Sequence, residues 1–141
     1  MFRSLLVAAL AVAVFVPFAA AEELKKEPAK LTVDIFASNA DAKLAKEMPK
    51  SGVIVSQKGW EKLAKAWGIK EPAKVDFTKE ILVVATTVGS KLNLSTKLDD
   101  KGDLKILGLA TRDFGEGFRY SIKSVSKEGV KTVNGKELPK E

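Results

Sequence analysis

The chain has 141 residues, contains neither cysteine nor histidine, and carries a formal net charge of +6. The missing cysteines exclude disulfides, thiolate metal sites and a lipid-modified cysteine anchor, so packing and hydrogen bonds alone must stabilise the fold. The missing histidines exclude Ser-His-Asp and Cys-His nucleophile activation and the usual zinc sites.

The first 21 residues have the three parts of a secretory signal peptide. A positive charge at Arg3 precedes an apolar run from Leu5 to Val16, and three alanines follow. The apolar run is shorter than the roughly 20 residues that cross a bilayer, so we expect no stable membrane insertion after cleavage. We predict cleavage between Ala21 and Glu22. Removing 21 residues, Arg3 among them, from 141 leaves 120 residues and lowers the net charge from +6 to +5.

The mature chain is expected to start with a charged lead-in. Residues 22–30 carry six charges and a proline, a composition typical of disorder, and residues 31–141 then form a single domain with a frayed C-terminal tail. Leu31, Val33 and Ile35 alternate with polar residues, which predicts a half-buried strand. Ser38 followed by Asp41 three residues on resembles a capping signal for a short helix that ends before Pro49.

The clearest element is a helix from Gln57 to Trp67, which follows a short predicted strand over residues 52–55. Ser56 is the expected N-cap and Gly68 the expected C-terminal stop. The apolar stripe of this helix is formed by Trp60, Leu63, Ala64 and Trp67. These residues recur at helical spacing, so we assign both tryptophans to the core.

Beyond residue 72 the sequence predicts mainly strands. Residues 81–88 are nearly all apolar and suit a central strand, and residues 92–98 and 104–110 form a hairpin in which Gly108 suggests a bulge. Residues 118–123 and 130–133 give two more strands, and Asn134-Gly135 is a type I′ turn signal. The fold class is therefore α+β: an antiparallel sheet of about six to seven strands with one main helix and a second short one packed on it.

The predicted helix also presents a candidate docking surface. Lys58, Lys62 and Lys65 lie opposite its apolar stripe, with Glu61 placed to pair with Lys65. The three lysines form either a basic docking face or an ordinary solvated helix surface.

The remaining candidate motifs do not complete a catalytic or metal site. Ser124 and Lys127 match Ser-x-x-Lys without the companion motifs of lysine-activated serine enzymes, and Asp99, Asp100 and Asp103 lack the spacing of a calcium loop. Four carboxylates remain for glycoside hydrolysis, provided that the fold brings two of them together: Asp76, Glu80, Asp113 and Glu116. We predict no enzymatic activity, no cofactor, no metal and, with only two arginines near aromatic residues, no nucleic-acid partner.

One stretch resembles a known family. Ser56 opens a helix with Trp60-Glu61-x-Leu63, and residues 75–80, Val-Asp-Phe-Thr-Lys-Glu, lead into Ile-Leu-Val-Val and Gly89. This order is similar to the C-terminal domain of the protease complex subunit PrcB family, over roughly residues 52–125. The segment after Gly89 and the strand from Phe118 depart from the family pattern. The resemblance implies an exported bacterial protein that stabilises a secreted protease complex without catalysing a reaction.

The sequence thus favours an exported, noncatalytic domain that binds another exported protein, with a protease as the partner that the resemblance implies. Two other classes remain open. One is a small protein that binds an acidic envelope polymer through its lysines, and the other is a hydrolase that uses only carboxylates.

Overall fold

A computed structural model describes residues 32–140. The predicted signal peptide, its cleavage site at Ala21 and Glu22 and the charged lead-in lie outside the described residues. One α-helix, one 3₁₀ helix and eight strands are found between residues 32 and 140, which confirms the α+β class. The helices are α1 Gln57–Trp67 and the 3₁₀ helix Ala42–Glu47. The strands are β1 Asp34–Asn39, β2 Val53–Ile54, β3 Glu80–Thr87, β4 Leu92–Leu98, β5 Asp103–Ala110, β6 Phe118–Ser126, β7 Thr132–Val133 and β8 Lys136–Glu137.

The strands divide between two four-stranded sheets. The first sheet has the order β1-β6-β3-β2 and is antiparallel throughout. The second sheet has the order β4-β5-β7-β8, and its β5–β7 pair is parallel. The chain passes from the first sheet to the second after β3 and returns with β6, so the loops that make these two crossings lie at the same end of the molecule.

The first sheet is the middle of three layers. One of its faces packs on α1, where Trp60, Leu63 and Trp67 join Leu82 and Ile122 in one buried cluster. Its other face packs on the second sheet. This second cluster contains Val53, Ile81, Val83, Leu94, Leu104 and Val133. The apolar run of β3 is thereby buried on both faces, as its composition predicts.

Helix α1 begins and ends where the sequence predicts. The Ser56 hydroxyl accepts a hydrogen bond from the Gly59 amide at 3.1 Å, which satisfies one free N–H of the first turn. Gly68 ends the helix in the left-handed region with φ +68°, and its amide donates to the carbonyls of Ala64 and Lys65. Both tryptophans are core residues, with 0% exposure at Trp60 and 3% at Trp67.

The predicted role of Ser38 is wrong. Ser38 belongs to β1, where the register sets it opposite Arg119 of β6, so its backbone is extended and does not cap a helix. The short helix instead takes Asp41 as its N-cap, whose carboxylate accepts from the Lys43 amide at 3.0 Å. The helix ends before Pro49, as expected.

Two turn predictions have different outcomes. The bulge predicted at Gly108 is wrong, because the β4–β5 register runs unbroken from Leu92 opposite Ala110 to Leu98 opposite Leu104. The Asn134-Gly135 turn is confirmed. Both residues have positive φ, 48° and 76°, as a type I′ turn between β7 and β8 requires.

Candidate functional site

Lys58, Lys62 and Lys65 form one exposed stripe on α1, which we call the lysine stripe. Successive residues of an α-helix are rotated by about 100°, so positions 58, 62 and 65 fall within about 60° of one another, opposite the buried tryptophans. Lys58 and Lys62 also flank an open depression that Ser56 and Gly59 complete. The three lysines thus lie on the exposed face of α1, as helical spacing predicts, and their docking role stays a prediction.

The predicted pairing of Glu61 with Lys65 is wrong. Glu61 instead accepts a hydrogen bond from the side-chain amide of Gln57 at 2.9 Å. Between residues 32 and 140 the single ion pair joins Lys79 to Asp76, at 3.9 Å. No lysine of the stripe therefore forms an ion pair with a carboxylate of the described residues.

The charge around the stripe is uneven along the chain. Residues 42–75, which include both helices, contain eight lysines and three glutamates, a net charge of +5. The other described residues, 32–41 and 76–140, contain twelve basic and eleven acidic residues, a net charge of +1. The segment that contains both helices thus carries nearly all the excess positive charge of the described residues.

A second surface lies at the end of the molecule where the chain crosses between the sheets. It consists of the β3–β4 loop, residues 88–91, and the β5–β6 loop, residues 111–117, and we call it the loop platform. Five hydrogen bonds join the two loops. The backbone bonds run from Thr111 N to Lys91 O and from Gly115 N to Val88 O, both 3.1 Å. The side-chain bonds are Ser90 N to Asp113 Oδ1 at 3.0 Å, Lys91 N to Thr111 Oγ1 at 3.1 Å, and Ser90 Oγ with Thr111 Oγ1 at 3.3 Å.

Two glycines of the platform lie where a side chain would clash with a neighbour. A Cβ atom at Gly89 would lie 2.2 Å from the Thr111 carbonyl oxygen, and one at Gly115 would lie 2.3 Å from the Arg119 guanidinium. That guanidinium donates to the carbonyls of Val88 and Glu116, at 3.3 and 3.4 Å. At Gly89 the clash is with the backbone of the other loop, so any larger residue would separate the loops. At Gly115 the clash is with the end of the Arg119 side chain, which can move.

Asp113 accepts the hydrogen bond from the Ser90 amide. Hydrogen bonds from the side chains of Ser90 and Thr111 and from the Ser90 backbone amide lower the pKa of its carboxyl far below the usual value. Asp113 is therefore ionised throughout the physiological range. A group in this state binds and orients amides and hydroxyls, and it does not act as a general acid.

The platform presents an aromatic residue to solvent. Phe114 is 90% exposed although it lies between Asp113 and Gly115, both of which are held by bonds to the neighbouring loop. Val88, on the facing loop, is 47% exposed. Aromatic side chains are enriched at protein interfaces, where a rigid support reduces the entropy lost on binding. The sequence analysis did not predict this surface. The only local signal was Phe114, an apolar residue that stands between charged residues and glycines.

The four candidate carboxylates fall into two pairs, Asp76 with Glu80 and Asp113 with Glu116, at opposite ends of β3. Asp76 and Glu80 lie before and at the start of β3, whereas Asp113 is bonded to the loop that follows the end of β3. From Glu80 to Thr87, β3 advances by seven residues of about 3.3 Å each, so its two ends lie roughly 23 Å apart. This distance is more than twice the separation of the two catalytic carboxyl groups in glycosidases. Asp76 is also committed to its own turn, where hydrogen bonds from the Thr78 hydroxyl and amide lower the pKa of its carboxyl.

The other motifs have structural roles. Ser124 lies buried in β6 and accepts a hydrogen bond from the Val33 amide at 3.1 Å, so it is not stacked over Lys127 on a helix. Asp99 accepts from the amides of Lys101 and Asp103, both at 2.9 Å, and so closes the β4–β5 turn. No group of three or more acidic residues in the described ranges is arranged to hold a metal ion.

A scan against protein-family models and searches of curated proteins and of solved structures found no match for this chain. Among residues 32–140, neither helix has the length and apolar content needed to cross a membrane.

Proposed function

We propose that this protein is an exported, noncatalytic domain that binds another exported protein through the loop platform. The observation that carries the proposal is Phe114, which is 90% exposed on a loop held by hydrogen bonds to its neighbour. An exposed phenylalanine contributes nothing to the packing of the described fold, whereas its burial against a partner contributes roughly 1.5–3 kcal/mol. Export rests on the signal-peptide pattern of the first 21 residues.

The resemblance over residues 52–125 supports a secreted or envelope protease as the partner, with this domain as an accessory or stabilising subunit. A partner of this kind needs no active site in the domain itself. It needs a rigid surface with an apolar anchor and a polar border, which the platform supplies in Phe114 and the exposed Arg112 beside it.

The test is to express the tagged full-length protein in its native host and to identify what co-purifies with the processed form from envelope and medium. Phe114→Ala is compared with Leu107→Ala, which removes an apolar side chain that is 53% exposed on the second sheet. We expect one exported protein in stoichiometric amount with the wild type and with Leu107→Ala. Phe114→Ala should weaken the complex roughly 10- to 100-fold, the equivalent of about 1.5–3 kcal/mol.

Two outcomes contradict the proposal. Recovery of the domain alone under gentle, low-salt conditions would contradict a protein-binding function. Equal recovery of the partner with both variants moves the interface away from the platform.

The charge distribution favours a second candidate, binding of an acidic envelope polymer through the lysine stripe. The supporting observation is the net charge of +5 over residues 42–75, with no ion pair to a lysine of that segment in the described fold. Such binding should weaken with added salt, which distinguishes it from an interface centred on a phenylalanine.

A further inference from the structure

The outer edge of the first sheet has unused hydrogen-bonding groups. β1 pairs only with β6, and the Ser124 amide donates to the Val33 carbonyl at 2.9 Å. In an antiparallel pair the bonded positions alternate, so Val33, Ile35, Ala37 and Asn39 face β6. The backbone N–H and C=O groups of three residues therefore point away from the sheet: Asp34, Phe36 and Ser38. None of these groups has a hydrogen-bond partner within residues 32–140.

Within residues 32–140 this edge has little of the usual protection against pairing, since Asp34 is its only charge. Natural edge strands are shortened, bulged, or carry lysine or proline, because an open strand is a template for another strand. β1 is six residues long, Asp-Ile-Phe-Ala-Ser-Asn, with an unbroken register and no lysine, proline or glycine. At its centre Phe36 is 55% exposed. The strand thus combines free backbone groups with an apolar side chain.

We propose that β1 pairs antiparallel with β1 of a second copy of this chain, around a two-fold axis at Phe36. This register sets Phe36 opposite the partner's Phe36 and Asp34 opposite the partner's Ser38. All three outward-facing residues then exchange both backbone bonds, which gives six hydrogen bonds. A register shifted by two residues in either direction retains at most four. The first sheets of the two copies would join into one sheet of eight strands.

The side chains of this register are complementary. The side chains of Asp34, Phe36 and Ser38 share one face of the sheet, so the two phenylalanines meet at the axis as a cross-strand aromatic pair. Asp34 lies beside its own Lys123, and the partner's Arg119 follows two strands away, at about 10 Å. Each Asp34 therefore lies next to its own Lys123 and within range of a positive charge of the other copy, which favours a second copy as the occupant. The guanidinium of that Arg119 keeps its bonds to the Val88 and Glu116 carbonyls and acts only through its charge.

The dimer should be weak and reversible. One strand pair buries less than the roughly 1,200 Å² typical of stable complexes, so we expect dissociation in the micromolar to millimolar range. This pairing does not depend on the function proposed above, because β1 and the loop platform share no residue.

The first test is sedimentation equilibrium of the mature protein over a range of concentrations up to about 1 mM. Phe36→Lys places two like charges at the axis and removes the aromatic pair, so the dissociation constant should rise at least about tenfold. The matched control is Leu109→Lys, at a leucine that is 71% exposed on the second sheet, and it should leave the dissociation constant unchanged. Phe36→Ser, which adds no charge, should weaken the dimer by a smaller factor.

The second test is amide hydrogen exchange, which reports the register. The amides of Asp34, Phe36 and Ser38 should become protected as protein concentration rises, whereas those of Ile35 and Ala37 are already bonded to β6 and should not change. Concentration-dependent protection with this alternation supports the proposal.

Three results would overturn it. The first is a monomer up to about 1 mM with no protection of the three amides. The second is protection independent of concentration, which would assign the edge to residues of the same chain. The third is a dimer that Phe36→Lys leaves intact, which would place the contact elsewhere.

Discussion

At the scale of single residues, Asp113 illustrates how a surface carboxylate stabilises a loop arrangement. Its pKa is lowered because Ser90 and Thr111 donate to the charged form. The unfolded chain has no such donors and keeps the ordinary value near 3.9. Between the two values the unfolded state binds the extra proton, so acid destabilises the fold there.

This linkage predicts a pH-dependent effect of Asp113→Asn. The contribution of the carboxylate is fully present above the unfolded pKa, about 4, and is lost as the pH falls through the lower folded value. We therefore expect Asp113→Asn to be less stable than the wild type at about pH 7, with a difference that shrinks steadily below about pH 4. Urea unfolding at a series of pH values measures both quantities.

The control for this prediction is Asp100→Asn, which removes an exposed carboxylate in the β4–β5 turn whose side chain accepts none of the hydrogen bonds of residues 32–140. It should change stability little at any pH. If the two variants follow the same curve, the platform bonds of Asp113 do not contribute to stability.

At the scale of elements, the indole N–H groups of two tryptophans form hydrogen bonds from α1 to neighbouring segments. Trp67 Nε1 donates to the Leu44 carbonyl of the 3₁₀ helix at 2.8 Å, and Trp60 Nε1 donates to the Ala73 carbonyl at 2.9 Å. The Trp67 ring also lies 5.4 Å from Phe118 and 4.5 Å from Tyr120, centroid to centroid. Each tryptophan thus combines core packing with one directed bond to a neighbouring segment.

Trp67→Phe should therefore loosen the 3₁₀ helix specifically. It removes the indole donor, leaves the Leu44 carbonyl without its partner and reduces the packed volume, at a cost of about 2 kcal/mol in unfolding free energy. Amide exchange of Met48, which donates to Ala45 within that helix, should become faster. Trp60→Phe is the matched control, because it should cost a similar amount without accelerating Met48. Equal exchange rates of the Met48 amide in both variants would contradict a specific role of the Trp67 indole in holding the 3₁₀ helix.

Elements that depend on local signals were predictable, and those that depend on distant partners were not. The bounds of α1 follow from Ser56, Gly68 and the spacing of the buried residues, all within thirteen positions. Ser38 could not be placed in β1, because its strand conformation depends on pairing with Arg119, 81 positions away. The division into two sheets and the parallel β5–β7 pair have the same long-range origin.

The candidate surfaces divide in the same way. The lysine stripe follows from helical spacing and was predicted. The loop platform was not, because the exposure of Phe114 depends on bonds between Ser90, Thr111 and Asp113, which come from two separate loops. Only the fold brings these three residues together.

At the scale of the whole molecule, the positive charge of the described residues is concentrated in one segment, residues 42–75. The segment that contains both helices carries +5, against +1 for the remaining described residues. Such a patch attracts acidic partners over a distance of about 8–10 Å at moderate ionic strength, and salt weakens the attraction. The affinity of an acidic partner should therefore depend on the positions of the lysines and not only on their number.

The prediction is that replacing the lysine stripe by glutamine, Lys58→Gln with Lys62→Gln and Lys65→Gln, lowers the salt concentration at which the mature protein elutes from immobilised heparin, an acidic polymer. The control replaces three exposed lysines of the second sheet and its turn by glutamine: Lys97, Lys101 and Lys105. Both variants lose three positive charges, so net charge alone predicts equal elution. Earlier elution of the stripe variant assigns the binding to α1. Equal elution would reduce the interaction to net charge, and failure of the wild type to bind at low salt would remove polymer binding altogether, leaving the platform around Phe114 as the remaining proposed binding surface.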